Sequence, residues 1–180
     1  MSQTSDQRSA DFLKIADQFK LGALTTESSH PVTANLSEVA RKDIAAGLKL
    51  LLDVDDDVVR KYREFVESGH ARKIADTVLA SLKNGGNIYF TGCGSTGRLS
   101  IQLASIWRDF WQLSGSATAG QFEDRAFPVM AGGDFALIKA VEGFEDFTAF
   151  GKKQIGDLGV NSRDVVFAIT EGGEIGRAHV

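Results

Sequence analysis

Residues 87–98 constrain the fold more than any other stretch. Asn87-Ile88-Tyr89-Phe90-Thr91 is a short β-rich run that leads straight into Gly92-Cys93-Gly94-Ser95-Thr96-Gly97. A helical pattern follows through Leu99, Leu103, Ile106, Trp107 and Phe110. Strand, glycine-rich turn and helix, in that order, open a βαβ unit. Further on, Pro128 to Gly133 reads as a second short strand and Phe135 to Phe150 carries a helical pattern. Asp164-Val165-Val166-Phe167-Ala168-Ile169 is the clearest strand, and it runs into Thr170-Glu171-Gly172-Gly173. Strands alternating with helices imply a parallel sheet covered on both faces. In such sheets ligands bind beyond the carboxyl ends of the strands. Both glycine turns, 92–97 and 170–173, sit at such ends.

The first half reads as helices. Phe12, Ile15, Ala16 and Phe19 make a short apolar stripe. Leu36, Val39, Ala40, Ile44, Leu48, Leu51 and Leu52 then form one face of an amphipathic helix. Asp55-Asp56-Asp57 precedes Val58, Val59, Tyr62, Phe65 and Val66, and acids suit the positive end of a helix dipole, so a new helix is expected there. Ala71, Ile74, Ala75, Val78, Leu79 and Leu82 give another helix, ended by Asn84-Gly85-Gly86.

Composition removes several classes. The 180 residues are 43% hydrophobic, which excludes a disordered chain. No apolar run approaches the roughly 20 residues of a membrane helix, so no membrane partner is expected. The polar segment Met1 to Ala10 does not resemble a signal peptide. A single cysteine, Cys93, excludes a disulfide framework and fits a reducing cytoplasm. Three histidines and one cysteine, far apart, make no zinc site, so no metal is expected. A net charge of −4 without a basic cluster argues against nucleic acid.

The loop at 92–97 suits phosphate. Glycines let backbone N–H groups approach an anion at a helix start, and Ser95 and Thr96 add hydroxyl donors. The spacing is also that of a dinucleotide loop, but that reading needs an acid about 20 residues on. Residues 115–120 are Gly-Ser-Ala-Thr-Ala-Gly, and Glu123 comes late. Paired hydroxyls fit a phosphomonoester better, and no cofactor is expected.

Asn87 to Arg98 resembles the first strand and phosphate loop of a sugar isomerase (SIS) domain. More specifically, it is similar to the group containing N-acetylmuramic acid 6-phosphate etherase and glucokinase regulatory protein. Leu24 to Thr33 resembles that group's T-E-x-x-N-P-x-T signature, with His30 where Asn is usual. Ala131-Gly132-Gly133-Asp134, followed by Val141-Glu142-Gly143-Phe144-Glu145-Asp146, resembles its A-G-G-[ED] and V-E-G-x-E-D segments. Matches run in family order from about Leu24 to Gly173.

The resemblance implies an α/β fold: a three-layer αβα parallel sheet, SIS-type and flavodoxin-like, preceded by N-terminal helices. It implies residues 1–35 as a helix and turn segment and 36–174 as the SIS domain, with a helical lead-in at 36–84 and a βα portion at 87–174. Family members are usually longer, so the sheet is expected to be incomplete at its C-terminal side. Ile175 to Val180 has no helical or strand period and reads like one frame of a common sequencing adapter; 175–180 is expected to be a non-native tail.

The resemblance also implies a cytoplasmic homodimer that binds a sugar or amino-sugar phosphate, as an isomerase-like enzyme or as a regulator with a protein partner. Gly94, Ser95, Thr96 and Gly97 would hold the phosphate, with Thr170, Glu171 and Gly172 as the second loop. The family's serine in that second loop is replaced by Gly172. Glu27 and Glu142 would contact the sugar. The alternative is an etherase-type lyase that releases lactate. Its chemistry uses two glutamates: one corresponds to Glu145, the other ends an A-S-E triplet that here is Ala104-Ser105-Ile106. Ile106 transfers no proton, and losing such a group costs roughly 10²–10⁴-fold in rate. Arg98 fits either a phosphate contact or a salt bridge. Trp107, Phe110 and Trp111 fit a core or a dimer interface.

Overall fold

The computed structural model describes residues 4–16, 28–139 and 148–170. They belong to two compact units, Met1–Phe65 and Val66–Val180.

The first unit is helical. Helix α1, Ser5–Ile15, starts at a capping box in which Thr4 and Gln7 satisfy each other's backbone N–H groups. A single 3₁₀ turn, Pro31–Thr33, leads to α2, Leu36–Lys42. Asp43 is extended, with φ −149° and ψ 108°, and its side chain accepts from the Ala46 N–H. The helix boundary therefore falls at Asp43. The acids at 55–57 do not open a helix: α3 runs unbroken over Ile44–Glu67. Ion pairs one turn apart, Arg60 with Asp57 and Lys49 with the earlier Asp53, place acids along a helix side instead. Gly47 meets α2 so closely that a Cβ there would lie 2.7 Å from the Ala40 Cβ.

The second unit carries the sheet. Helix α4, His70–Lys83, ends on a left-handed Gly85, whose turn lets the Gly86 N–H reach the Ser81 carbonyl at 2.9 Å. The Ser81 hydroxyl then donates to the Arg163 carbonyl at 2.6 Å, tying α4 to the entry of the third strand. Strand β1 is Ile88–Gly92, β2 is Ala126–Met130 and β3 is Val165–Ala168. All pairs are parallel in the order β2-β1-β3, with Thr91 level with Val129 and Ala168.

Helix α5, Gly94–Leu113, crosses from β1 to β2 and packs on both. Short α6, Ala119–Phe122, follows, and the Trp107 indole N–H caps it by donating to the Phe122 carbonyl at 2.7 Å. The helical pattern expected over 135–150 is split. Helix α7 covers Phe135–Ile138 and ends on the extended Lys139; α8 is Thr148–Asp157, beyond residues 140–147, which are not described.

Successive strand residues face opposite sides. Gly97 of α5 lies against Met130, whereas Gly151, Gln154 and Ile155 of α8 line a cavity with Thr91, Val129 and Val166. The two helices thus cover opposite faces of the sheet, giving the three layers the pattern implied. Among the described residues no helix is long and apolar enough to cross a membrane.

Candidate functional site

The strand order decides where a site can form. β1 and β3 are parallel neighbours, so their carboxyl ends lie side by side. The chain leaves β1 into residues 92–97 and β3 into Ile169 and Thr170. Past β3, the Ile169 N–H still donates to the Thr91 carbonyl at 3.0 Å, which sets Thr170 beside the start of the 92–97 loop.

At the end of β1 the chain reverses with almost no room to spare. A Cβ on Gly92 would lie 2.7 Å from the Thr96 carbonyl carbon and 2.8 Å from its oxygen. One on Gly97 would lie 2.8 Å from the Gly92 oxygen and 2.9 Å from Met130 Cγ. These two glycines let the first turn of α5 fold back over the strand end. Gly94 serves the turn differently, through its backbone angle. Its φ is +53°, a left-handed value that L side chains adopt only at a cost.

The result is a helix start with open donors. The first helical bond runs from the Gly97 N–H to the Cys93 carbonyl at 3.0 Å, and among the described residues no side-chain cap bonds the N–H groups before it. Ser95 is exposed and Thr96 half-buried, and no hydrogen bond to another described residue engages either hydroxyl. Gly97 and Ser100 are buried beneath them, with the Ser100 hydroxyl donating to the Gly97 carbonyl at 2.6 Å. An anion at this point would meet backbone N–H groups, two hydroxyls and the positive end of a 20-residue helix.

Two threonines missed as a pair by sequence reasoning lie at the same strand ends. Thr91 Oγ1 and Thr170 Oγ1 are both buried and lack a hydrogen-bond partner among the described residues. A buried hydroxyl left unpaired costs about 1–3 kcal/mol. Thr91, only 7% exposed, faces a cavity of about 20 Å³ between β1 and α8. Thr170 ends a larger cavity of about 580 Å³ along β3, walled on the other side by Lys73, Ile74 and Thr77 of α4. Ser95 and Thr96 line neither. A threonine at a strand end is ordinarily a β-branched filler, so nothing in the pattern marked Thr91 out.

Ile106 lies ten residues beyond Thr96 on α5, about 15 Å along its axis, and is 55% exposed. Glu27, Glu142, Glu145, Glu171 and Gly172 lie outside the described residues.

In the first unit, His30 caps the 3₁₀ turn: its Nδ1 accepts from the Val32 N–H at 3.2 Å. The ring proton therefore sits on Nε2 and is donated to Asp57 Oδ2 at 3.1 Å. With both nitrogens engaged, His30 is a clamp between the turn and α3, not a general base. Asp57 is held below its ordinary carboxylate value, chiefly by the Arg60 hydrogen bond, with His30 adding to it. That contribution is present at neutral pH and is lost as acidification protonates Asp57. His30→Ala is expected to cost about 0.5–2 kcal/mol, the usual value of a lost cap. His30→Asn, whose side-chain oxygen can accept from the same N–H, should recover part of it. Paired thermal melts check this, and equal melting of the alanine variant and the parent would refute the clamp.

Comparison with known proteins identifies relatives of this chain. Residues 70–176 match the family described as the glucokinase regulatory protein N-terminal SIS domain. Among curated proteins, N-acetylmuramic acid 6-phosphate etherase 1 of Bacillus licheniformis is 30% identical over 153 residues. That match covers 85% of this chain and 46% of the relative. The N-acetylmuramic acid 6-phosphate etherase of Clostridium acetobutylicum is 31% identical over 150 residues, covering 83% of this chain and 45% of the relative. The corresponding enzyme of Francisella tularensis subsp. holarctica is 30% identical over 153 residues, 83% of this chain and 47% of its own. The chain thus spans about half the length of the curated relatives it matches.

Proposed function

Because the chain belongs to the family of the glucokinase regulatory protein N-terminal SIS domain, we propose that it binds a sugar or amino-sugar phosphate at the carboxyl ends of β1 and β3. It does so as a non-etherase member, an isomerase-like enzyme or a ligand-responsive regulator. The observation that carries this reading is the start of α5 beside the Thr170 hydroxyl, neither taken up by a side chain among the described residues, on neighbouring parallel strands. The N–H groups of residues 94–96 and the hydroxyls of Ser95 and Thr96 take the phosphate, and Thr170 faces the sugar side. Charge-assisted bonds of this kind are short and roughly twice as strong as neutral ones.

Ile106 favours the non-etherase form, since an aliphatic side chain cannot protonate a leaving group. A thermal-shift titration with a panel of phosphosugars, including glucosamine 6-phosphate and N-acetylmuramic acid 6-phosphate, is expected to raise the melting temperature with at least one. No shift with any of them ends the proposal.

A second reading rests on the similarity to N-acetylmuramic acid 6-phosphate etherases across more than four-fifths of the chain. In it, Glu145 works with another acid, such as Glu171 or Glu123. It predicts lactate release from N-acetylmuramic acid 6-phosphate that disappears in Glu145→Gln. Absence of lactate from the parent protein removes it. The family likeness also carries a homodimer in either reading.

A further inference from the structure

We propose that the cavity between β1 and α8 is a built site for one water molecule, held between the Thr91 hydroxyl and the side-chain oxygen of Gln154. The inference concerns the sheet face under α8 and stands whichever ligand the strand ends take.

The register sets the walls. Thr91 is level with Val129, and Tyr89 with Val166. Residues two apart on a strand share a face, so Thr91, Val129 and Val166 all point to the same side of the sheet. Gly151, Gln154 and Ile155 of α8 lie over that side. Gly151 is buried and brings no side chain, which leaves space between helix and sheet. The space amounts to about 20 Å³. One water needs roughly 10–15 Å³ of free volume, so the cavity takes a single water and no larger ligand.

Apolar cavities stay dry, but this one has polar groups on two of its walls. Thr91 is 7% exposed, and its Oγ1 has no hydrogen-bond partner among the described residues. On the opposite wall, the Gln154 Nε2 donates to the Met130 carbonyl at 2.9 Å. A carbonyl only accepts, so the amide nitrogen must face Met130 and the amide oxygen is left over. No described residue donates to that oxygen. A water meets both needs at once. It accepts from the Thr91 O–H and donates to Gln154 Oε1, through bonds of about 2.7–2.8 Å. Two partners are within the range of two to four that buried waters make.

The bridge fastens three elements at one point. The Met130 carbonyl that Gln154 engages also accepts from the Gly133 N–H at 2.9 Å, and Gly92, the last residue of β1, lines the same cavity. Through the water, α8 is tied to β1 as well as to β2, at the strand end from which residues 92–97 depart.

The test uses the full 180-residue chain, with far-ultraviolet circular dichroism to confirm that each variant is folded. Thr91→Val keeps the side-chain shape and deletes the hydroxyl. With the water bound, the variant is expected to melt about 2–4 °C below the parent. An orphan hydroxyl gives the opposite sign, because its removal relieves a buried unpaired group. Gln154→Met also lowers the melting temperature, and Thr91→Val should then cost little in that background, since the bridge is already broken. Nuclear Overhauser transfer from water to the Thr91 methyl group, in isotope-labelled parent protein, reads the water directly and should disappear in Gln154→Met. A Thr91→Val variant that melts at or above the parent overturns the proposal. So does full additivity of the two changes, or a parent whose Thr91 methyl receives nothing from water.

Discussion

Gly92→Ala is expected to lower the thermal midpoint of the chain by about 2–12 °C, the equivalent of roughly 1–3 kcal/mol of overpacking. The methyl group would lie 2.7–2.9 Å from the Thr96 carbonyl and the Gly97 nitrogen, and these are backbone atoms of the first turn of α5. Nothing there can rotate away, as a side chain could. The turn must rise from the strand end, and two contacts go with it: the Gly97 approach to Met130 and the Ala131 N–H bond to the Gly92 carbonyl. The same variant should lose phosphosugar binding, because the helix start moves with the turn. Gly120→Ala is the control: its added Cβ meets nothing within 4 Å, and the shift should be small or slightly positive. Equal melting of Gly92→Ala and the parent would show that the close approach does not constrain the turn.

The second large effect concerns binding alone. Thr96→Val keeps the shape of the side chain and deletes its hydroxyl; Ser95→Ala deletes the other. Hydrogen bonds to a charged group contribute about 1.5–3 kcal/mol each, so either change should weaken phosphosugar binding roughly 10- to 150-fold. The unliganded melting temperature should barely move, because neither hydroxyl bonds another described residue. Isothermal titration with whichever phosphosugar stabilises the parent, beside a ligand-free melt, separates the two quantities. Unchanged affinity in the double variant would place the phosphate elsewhere.

The parts of the fold that could be read from the chain depend on neighbours in sequence. The β-rich run at 87–91, the glycine spacing after it, the period of the α4 residues and the Asn84-Gly85-Gly86 stop all express local backbone preference. Each is found close to where it was expected. Local reasoning failed where two local rules competed. Asp55, Asp56 and Asp57 satisfy the rule for a helix start, but bonds from Lys49 to Asp53 and from Arg60 to Asp57 make acids welcome along a continuing helix side. The true start is the less conspicuous Asp43, identified by its bond to the Ala46 N–H. His30 shows the same limit. As an isolated turn residue it carried no visible role, because Asp57 lies 27 positions away.

By itself the sequence determined that a parallel αβ unit forms, that a glycine-rich turn opens the helix after its first strand, and that an aliphatic residue stands at position 106. These follow from residue identity and short spacing, which the local backbone obeys. Tertiary structure alone decided that β3 lies beside β1 and not beside β2, which brings Thr170 next to the 92–97 loop. It alone left the Thr91 and Thr170 hydroxyls buried without partners among the described residues, and Leu99, Ile106, Phe110 and Leu113 of α5 exposed. Strand order and burial arise from contacts between residues some 77 positions apart, such as Asn87 with Asp164, and no short-range pattern encodes them.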